Sequence, residues 1–158
     1  MDEIPKGWHR HPNGGGLVQD TAYVDETAYV GPPARVFGSA RVFGSARVFD
    51  SALVFDSAQV FGSALVFGSA LVYEPRHVLT VGPVGTEHRT ITLHRTVDGH
   101  QIVAGCWSGT CDELAERISH KREAWPDSDK ATRRRAAEDY RLVLPLLRAR
   151  VAEWDIES

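Results

Sequence analysis

The sequence predicts a mainly β protein in which a short parallel β-helix is followed by a small α+β domain. Two observations lead to this fold class. Valine recurs at every sixth position from Val18 to Val78, and alanine precedes it by two positions from Ala22 to Ala70. After Val78 the period stops, and the pattern becomes that of a hairpin followed by two helices.

These changes of pattern divide the chain into three segments. We expect an N-terminal leader or cap over residues 1–16, the β-helix over residues 17–79 and the α+β domain over residues 80–158. A total of 158 residues with 42% hydrophobic content suits one or two small domains and excludes a large enzyme fold.

Charge and cysteine content exclude several kinds of partner. The net charge of −3 favours neither nucleic acid nor an anionic membrane, and no segment of the sequence has the length of apolar residues that a spanning helix needs. We therefore expect a cytoplasmic protein. Cys106 and Cys111 fit no zinc pattern, and we expect two reduced thiols with Cys106 largely buried. The sequence indicates neither a metal nor a cofactor.

The six-residue period describes short strands separated by corners. A helical face returns every three or four residues, whereas an inward pair at positions i and i−2 with a turn every six residues requires extended chain. The corner positions hold residues that accept a sharp turn, each followed by serine. They are Gly38, Gly44, Asp50, Asp56, Gly62 and Gly68.

An aromatic residue directly follows each valine in the middle of the repeat. With three units per turn, Phe37, Phe55 and Tyr73 share one outer face, Phe43 and Phe61 the second, and Phe49 and Phe67 the third. An apolar exterior of this extent is not expected to face water. It predicts a homo-oligomer, a trimer or higher, although packing against the chain's own C-terminal segment is the alternative.

The C-terminal pattern indicates a linker, a hairpin and two helices. Residues 81–85 read as the linker, because they contain Gly82 and Pro83. Strands are expected over residues 90–96 and 101–106 around an Asp-Gly turn. Helices are expected from about residue 110 to 121 and from 131 to 153. The apolar stripe of the second helix is expected to contain Tyr140, Leu142, Val143, Leu146, Leu147, Val151 and Trp154.

The repeat resembles the left-handed β-helix family of hexapeptide-repeat proteins. Residues 36–41 and 42–47 both read Val-Phe-Gly-Ser-Ala-Arg, with the family's aliphatic residue and the small residue two positions before the next one. The resemblance implies a left-handed triangular prism with three units per turn. This chain departs from the family by placing an aromatic residue after the valine, where family members usually have a small or polar residue.

The C-terminal part resembles a domain found in small proteins of bacteriophages and prophages, where it often follows hexapeptide repeats. The segments Leu79-Thr80-Val81-Gly82-Pro83-Val84-Gly85 and Gly105-Cys106-Trp107-Ser108-Gly109-Thr110 match it, as do Asp112-Glu113, His120 and Tyr140. The family commonly has Ser-Arg after the opening glycine. This chain has Thr86-Glu87 there, with Arg89 two residues later.

Two groups of residues are candidates for binding an anion. Gly85, Thr86 and Arg89 belong to a glycine-containing loop whose backbone donors and guanidinium suit a phosphate, and Trp107 of the second matching segment joins them. A plain interdomain turn is the alternative. Arg41 and Arg47 occupy outward positions of the repeat and suit a groove between subunits, or a solvated rim.

The sequence predicts a non-enzymatic oligomeric phage accessory protein that binds and sequesters a host factor. An anionic small molecule such as a nucleotide immune signal, or a host defence protein, is the expected partner. Hexapeptide-repeat acyltransferases use a histidine as general base, but no histidine lies between His11 and His77 and no inserted loop interrupts the repeat. An acyltransferase-like enzyme and a purely structural module are the alternatives, and no catalytic residue is assigned.

Overall fold

The computed structural model of the chain describes residues 3–157, with side chains described as far as residue 155. It divides into two compact units. The first runs to Val78 and also contains His94–His100. The second contains Leu79–Leu93 and the chain from Gln101 onward. The segment His94–His100, which the sequence analysis assigned to the C-terminal domain, thus lies in the first unit.

Short strands dominate the first unit, and longer strands and helices form the second. In chain order the strands are β1 (Trp8–Arg10), β2 (Leu17–Gln19), β3 (Tyr23–Val24), β4 (Tyr29–Val30), β5 (Arg35–Val36), β6 (Arg41–Val42), β7 (Arg47–Val48), β8 (Leu53–Val54), β9 (Gln59–Val60), β10 (Leu65–Val66), β11 (Leu71–Val72), β12 (Val78–Val84), β13 (Arg89–Arg95), β14 (His100–Ala104) and β15 (Trp107–Gly109). The helices are α1 (Cys111–Ser119), α2 (Lys121–Ala124) and α3 (Lys130–Glu157), and a 3-10 turn spans Pro75–His77.

Strands β2 to β11 form a parallel β-solenoid of about three turns. Every third strand pairs within one sheet, so the three sheets are β2-β5-β8-β11, β3-β6-β9 and β4-β7-β10. Leu17 pairs with Arg35, and Arg35 pairs with Leu53, so one coil contains eighteen residues. Three six-residue units therefore make one coil, as expected from the sequence.

The valine and alanine positions form the core of the solenoid. From Ala28 to Val72 every valine and alanine of the repeat is at most 1% exposed. Val24 and Val78, near the two ends, are only partly buried. The inward register predicted from the six-residue period is therefore confirmed, and it provides the apolar burial that stabilises the short strands.

The predicted corner residues all adopt the left-handed backbone conformation. Their φ angles lie between 52° and 67°. Four of them are glycine, which adopts this region without steric cost, and Asp50 and Asp56 belong to a residue type that tolerates it as a single position. At Gly38 a side chain would also come within 2.8 Å of the Asp56 nitrogen in the next coil. The corners therefore require small or turn-forming residues.

Aromatic rings stack along the outside of the solenoid. The ring of Phe37 lies 4.8 Å from that of Phe55 with an interplanar angle of 3°, and the ring of Phe55 lies 5.4 Å from that of Tyr73. On another face, Phe49 and Phe67 stack at 4.8 Å. Both columns were predicted from the eighteen-residue spacing, and offset stacking of this kind contributes stability beyond simple burial.

Additional chain covers the edges of the first and last coils. Strand β1 pairs antiparallel with β2, and the Trp8 ring lies 5.8 Å from Phe37. At the other end Thr96 forms an antiparallel bridge with Ala70, and the Val97 nitrogen donates to the Ser69 carbonyl oxygen at 3.0 Å. Pairing at exposed strand edges is the usual protection against association with other chains.

The second unit contains a sheet with the order β12-β13-β14-β15. The predicted hairpin is confirmed as β13 and β14, but the prediction of a linker over residues 81–85 is wrong, because residues up to Val84 belong to β12. Gly82 and Pro83 are typical of a loop, but β12 is an edge strand, and an edge strand tolerates proline. The expectation that Cys106 is largely buried is wrong, because Cys106 lies exposed in the turn between β14 and β15, and Cys111 is the buried cysteine.

Helix α1 begins as predicted, but two residues of the apolar stripe predicted for α3 are exposed. Thr110 caps α1 in a capping box with Glu113. Leu142 and Leu146 of α3 are 68% and 48% exposed, so their assignment to the apolar stripe is wrong. The buried positions of α3 instead follow helical spacing and are Ala136, Ala137, Tyr140, Leu144, Leu147 and Trp154. No helix within residues 3–157 is both long and apolar enough to span a membrane.

A charge placed in the valine column tests the solenoid. Because Val54 is fully buried, we expect Val54→Asp to bury a carboxylate and lower the free energy of unfolding by more than about 3 kcal/mol. Ser63→Asp introduces the same charge at an exposed corner and is expected to change it by less than about 0.5 kcal/mol. Denaturant unfolding of both variants is the measurement, and equal midpoints would contradict the inward register.

His94 is a buried base of the first unit with a perturbed pKa. Its side chain is buried, and its ring meets the Phe67 ring edge-on at 6.1 Å. Its Nδ1 lies 3.2 Å from the Arg95 carbonyl oxygen, whereas Nε2 has no hydrogen-bond partner within residues 3–157. Burial lowers the pKa of His94 to about 4, and the charge of His100 adds to this effect. The ring is therefore neutral at pH 7.

This burial predicts a specific loss of stability in acid. Because the pKa of His94 is about 4 in the folded chain and near 6.5 ordinarily, the unfolded chain takes up the proton first as the pH falls. Stability of about 3 kcal/mol, present above pH 6.5, is lost on the way to pH 4. Denaturant unfolding at pH 7 and pH 4.5 should show a smaller loss for His94→Phe, which keeps an aromatic ring. His88→Asn, at an exposed position with positive φ, should behave like the wild type.

Candidate functional site

A cavity of about 280 Å³ in the second unit is the candidate site. Gly85, Thr86, Arg89 and Trp107 line it, so the structure brings together four of the six residues predicted to bind a ligand. Its remaining lining comes from the sheet, α1, α2, the connection before α3 and α3 itself. These residues are Val84, Glu87, Ala104, Cys106, Leu114, Arg117, Ala124, Trp125, Pro126, Asp127, Ser128, Ala136 and Tyr140.

The turn between β12 and β13 forms one wall of the cavity. It begins at Gly85, whose φ is 76°, and the His88 nitrogen donates to the Gly85 carbonyl oxygen at 3.3 Å. The Gly85 nitrogen donates to Oδ2 of Asp139 at 3.0 Å, which ties the turn to α3. A side chain at Gly85 would lie 3.4 Å from the Tyr140 ring. That distance is ordinary contact, so glycine is favoured here by its positive φ and not by lack of space.

Arg89 is held in place by a carboxylate and by a glycine turn. Its Nη2 donates to Oε2 of Glu87. Its guanidinium packs on Gly105, where a Cβ atom would come within 2.5 Å of Nη1. Gly105 also has a φ of 64°, so the turn between β14 and β15 favours glycine there for two reasons. The Arg89 side chain remains 42% exposed at the cavity.

A second guanidinium, that of Arg117 on α1, lies against two tryptophan rings. Its Cζ is 5.4 Å from the centroid of Trp107 and 5.3 Å from that of Trp125. Contacts of this kind are worth about 0.5–2 kcal/mol, depending on how far the pair is removed from water. Nη2 of Arg117 donates to the Ala124 carbonyl oxygen at 3.0 Å. The Trp107 and Trp125 rings thus fix the orientation of this cation.

Both guanidinium charges influence the pKa of the Tyr140 hydroxyl. Tyr140 is 7% exposed, and its ring stacks with Trp125 at 5.8 Å. Burial raises the pKa of its hydroxyl, while the positive charges of Arg117 and Arg89 oppose that rise. An uncharged hydroxyl is a hydrogen-bond donor and acceptor, so the cavity combines two cations, one hydroxyl and aromatic walls.

Acidic side chains balance these cations. Glu87 and Asp127 line the cavity and carry charges opposite to those of Arg89 and Arg117. The lining also contains the thiol of Cys106 and the hydroxyls of Thr86, Ser128 and Tyr140, and it contains no histidine. Within residues 3–157 no cluster of three or more His, Cys, Asp or Glu side chains is placed to hold a metal ion. The lining offers a ligand cationic donors, hydroxyl groups and flat apolar surfaces.

The other two predicted residues lie on the solenoid, in the first unit. Arg41 belongs to the β3-β6-β9 sheet and Arg47 to the β4-β7-β10 sheet, so they do not share one face. The Arg47 guanidinium lies over the rings of Tyr29 and Phe49, at 4.8 Å and 5.8 Å from their centroids. A groove between subunits at Arg41 and Arg47 stays a prediction.

Sequence reasoning missed Arg117 and Trp125 as site residues. Arg117 lies within the helix predicted over residues 110–121, and Trp125 lies in the polar connection between the two predicted helices. A signal for Trp125 was present, because a large aromatic residue in an otherwise polar connection needs a surface to pack against. Nothing in the sequence distinguished Arg117 from the other arginines of the helices.

Comparisons with known proteins do not assign the chain to a family. No protein-family model matches it, and neither curated proteins nor solved structures give a significant match.

Proposed function

We propose that this protein binds and sequesters an anionic small molecule of the nucleotide class without chemically altering it. The lining of one cavity by Arg89, Arg117 and Tyr140, with Arg117 against the Trp107 and Trp125 rings, carries the proposal. Guanidinium groups suit phosphate through charge-assisted hydrogen bonds, and aromatic rings suit a planar base. A cavity of about 280 Å³ is slightly smaller than typical sites for drug-sized ligands, so it suits one nucleotide-sized group.

The biological setting of the proposal comes from sequence resemblance. We propose a left-handed hexapeptide-repeat protein of bacteriophage type, acting in the host cytoplasm against a nucleotide immune signal. The two segments that carry the phage resemblance, Leu79–Gly85 and Gly105–Thr110, both contribute to the cavity, through Val84, Gly85, Cys106 and Trp107. Tyr140 of the same pattern lines it as well. Their meeting at one place supports a shared binding role.

We further propose a homo-oligomer, a trimer or higher, that forms through the solenoid. Tyr23 and Phe61 are 53% and 56% exposed, and both belong to the face formed by β3, β6 and β9 or the corner that follows it. The Tyr23 ring lies 5.6 Å from Phe43 on the same face. An aromatic surface of this kind suits a second copy of the chain, because association removes it from water.

Removing Arg89 tests the binding proposal. Loss of a charged hydrogen bond costs about 1.5–3 kcal/mol. Part of this loss is offset, because binding to the wild type must first break the Arg89–Glu87 ion pair, whereas the variant has no such pair. We therefore expect Arg89→Ala to weaken binding of adenosine 5′-monophosphate (AMP) on the order of tenfold in titration calorimetry. Arg141→Ala, which removes an equal charge from an exposed position on α3, should leave the affinity unchanged.

Chromatography of the nucleotide released after denaturation completes this test. Intact AMP is expected, whereas a chemically altered product would establish an enzyme and contradict sequestration. Equal affinity of the wild type and Arg89→Ala would place the ligand outside this cavity.

The oligomer proposal predicts the effect of a charge on the solenoid face. Phe61→Glu should yield a smaller assembly in sedimentation velocity, because an ionised carboxylate resists burial between subunits. Ser63→Glu introduces the same charge two residues away, at an exposed corner, and should keep the parent mass. A wild-type protein that sediments as a monomer, or a Phe61→Glu variant of unchanged mass, would contradict subunit contact through this face.

A further inference from the structure

The two parts of the predicted anion site are already occupied by carboxylates of the chain. The Gly85 nitrogen donates to Asp139, at 3.0 Å, and Arg89 donates to Glu87. The sequence predicted that the Gly85 nitrogen and the Arg89 guanidinium bind a phosphate. In the structure each of them already donates to a carboxylate. An incoming anion has to replace one of them before it can use the same donors.

The two carboxylates differ in how easily they can be displaced. Asp139 is half-buried on α3, and its bond to Gly85 joins the β12–β13 turn to that helix. The Glu87 side chain is 62% exposed and lies within the turn itself, two residues from Arg89. Exposed ion pairs are worth little, typically about 0.2–1 kcal/mol, so water or a ligand can take the place of Glu87 at small cost.

We infer that Glu87 is an internal competitor for Arg89, and that the cavity consequently selects a phosphate monoester over a phosphodiester or a carboxylate. This inference rests on the proposed binding function. When a singly charged group replaces Glu87, one anion is exchanged for another, and the ion pair gains almost nothing. A phosphate monoester carries about −1.5 to −2 charges near pH 7, so its attraction to Arg89 exceeds that of the carboxylate it displaces.

The same competition determines how many negative charges a ligand needs before Arg89 increases its affinity. For the wild type, a ligand with one negative charge should gain nothing at Arg89 over its neutral analogue, because the new contact is offset by the lost Glu87 pair. Any attraction to Arg117 is common to the wild type and to variants of Glu87. Without the Glu87 charge, the singly charged ligand should gain from Arg89 as well. The neutral analogue, which does not use Arg89, should be indifferent to the substitution.

Three related probes and four variants test this. Calorimetry would compare AMP, its methyl ester, which is a singly charged phosphodiester, and uncharged adenosine. Glu87→Gln keeps the shape of the side chain and removes its charge. Glu116→Gln makes the same change in net charge at an exposed position of α1 that does not line the cavity. Glu87→Gln and Arg89→Ala would also be combined, with Arg89→Ala alone as the reference.

The wild type is expected to bind AMP more tightly than the methyl ester. Arg89→Ala is expected to bind the methyl ester within about twofold of the wild type, because Arg89 gives a singly charged ligand no net gain while Glu87 is present. Glu87→Gln should bind AMP and the methyl ester about two- to fivefold more tightly than the wild type, with adenosine unchanged. Glu116→Gln should resemble the wild type, and Glu87→Gln should give no gain in the Arg89→Ala background.

Two other results would overturn the inference, and they can be told apart. If the wild type binds AMP through Arg89 but Glu87→Gln binds AMP and the ester no more tightly, Glu87 does not compete, and the binding function stands. If neither the wild type nor Glu87→Gln binds any of the three probes, the nucleotide-binding function fails and the inference fails with it.

Discussion

The hydrogen-bond ladder between successive coils is the constraint on which the first unit depends. The Arg35 nitrogen donates to the Ala52 carbonyl oxygen at 3.1 Å, and the Phe37 nitrogen donates to the Val54 oxygen at 2.9 Å. Each strand contains only two or three residues, so no strand is stable by itself. The ladder places valine above valine in the interior, and the same register determines which outer side chains become neighbours.

The regular part of the fold was predictable because one repeated unit determines it. A buried position that recurs every six residues leaves no choice of face, and the corner residues occur at the same spacing. The errors arose where structure depends on the neighbours of a segment. Gly82 and Pro83 read as a break, yet an edge strand accommodates both. Leu142 and Leu146 are apolar, but they lie outside the buried stripe that contains Tyr140, Leu144 and Leu147.

The candidate site was predictable in its local parts only. Gly85, Thr86 and Arg89 were identified because they are adjacent in sequence, and Trp107 because it belongs to a compact motif. Their meeting with Arg117 and Trp125 depends on how the α1–α2 region packs against the sheet, which sequence spacing does not specify. The Asp139 contact joins residues 54 positions apart, and no local pattern indicates it. The same contact changes the expected chemistry, since a backbone donor intended for a ligand already has an acceptor.

The eighteen-residue coil has a consequence for how such a chain can change in length. Inserting or deleting a single six-residue unit keeps every valine inward but shifts all later units to the next sheet. An insertion ahead of Phe55 would move its ring from the column of Phe37 to that of Phe43, and a deletion would move it to that of Phe49. Rings would still stack on rings, because every unit from Phe37 to Tyr73 carries an aromatic residue at this position. Only the gain or loss of a complete coil keeps each outer side chain on its own face. The core and the aromatic stacking therefore tolerate a change of one unit, whereas the pattern of side chains on each outer face tolerates only a change of a whole coil.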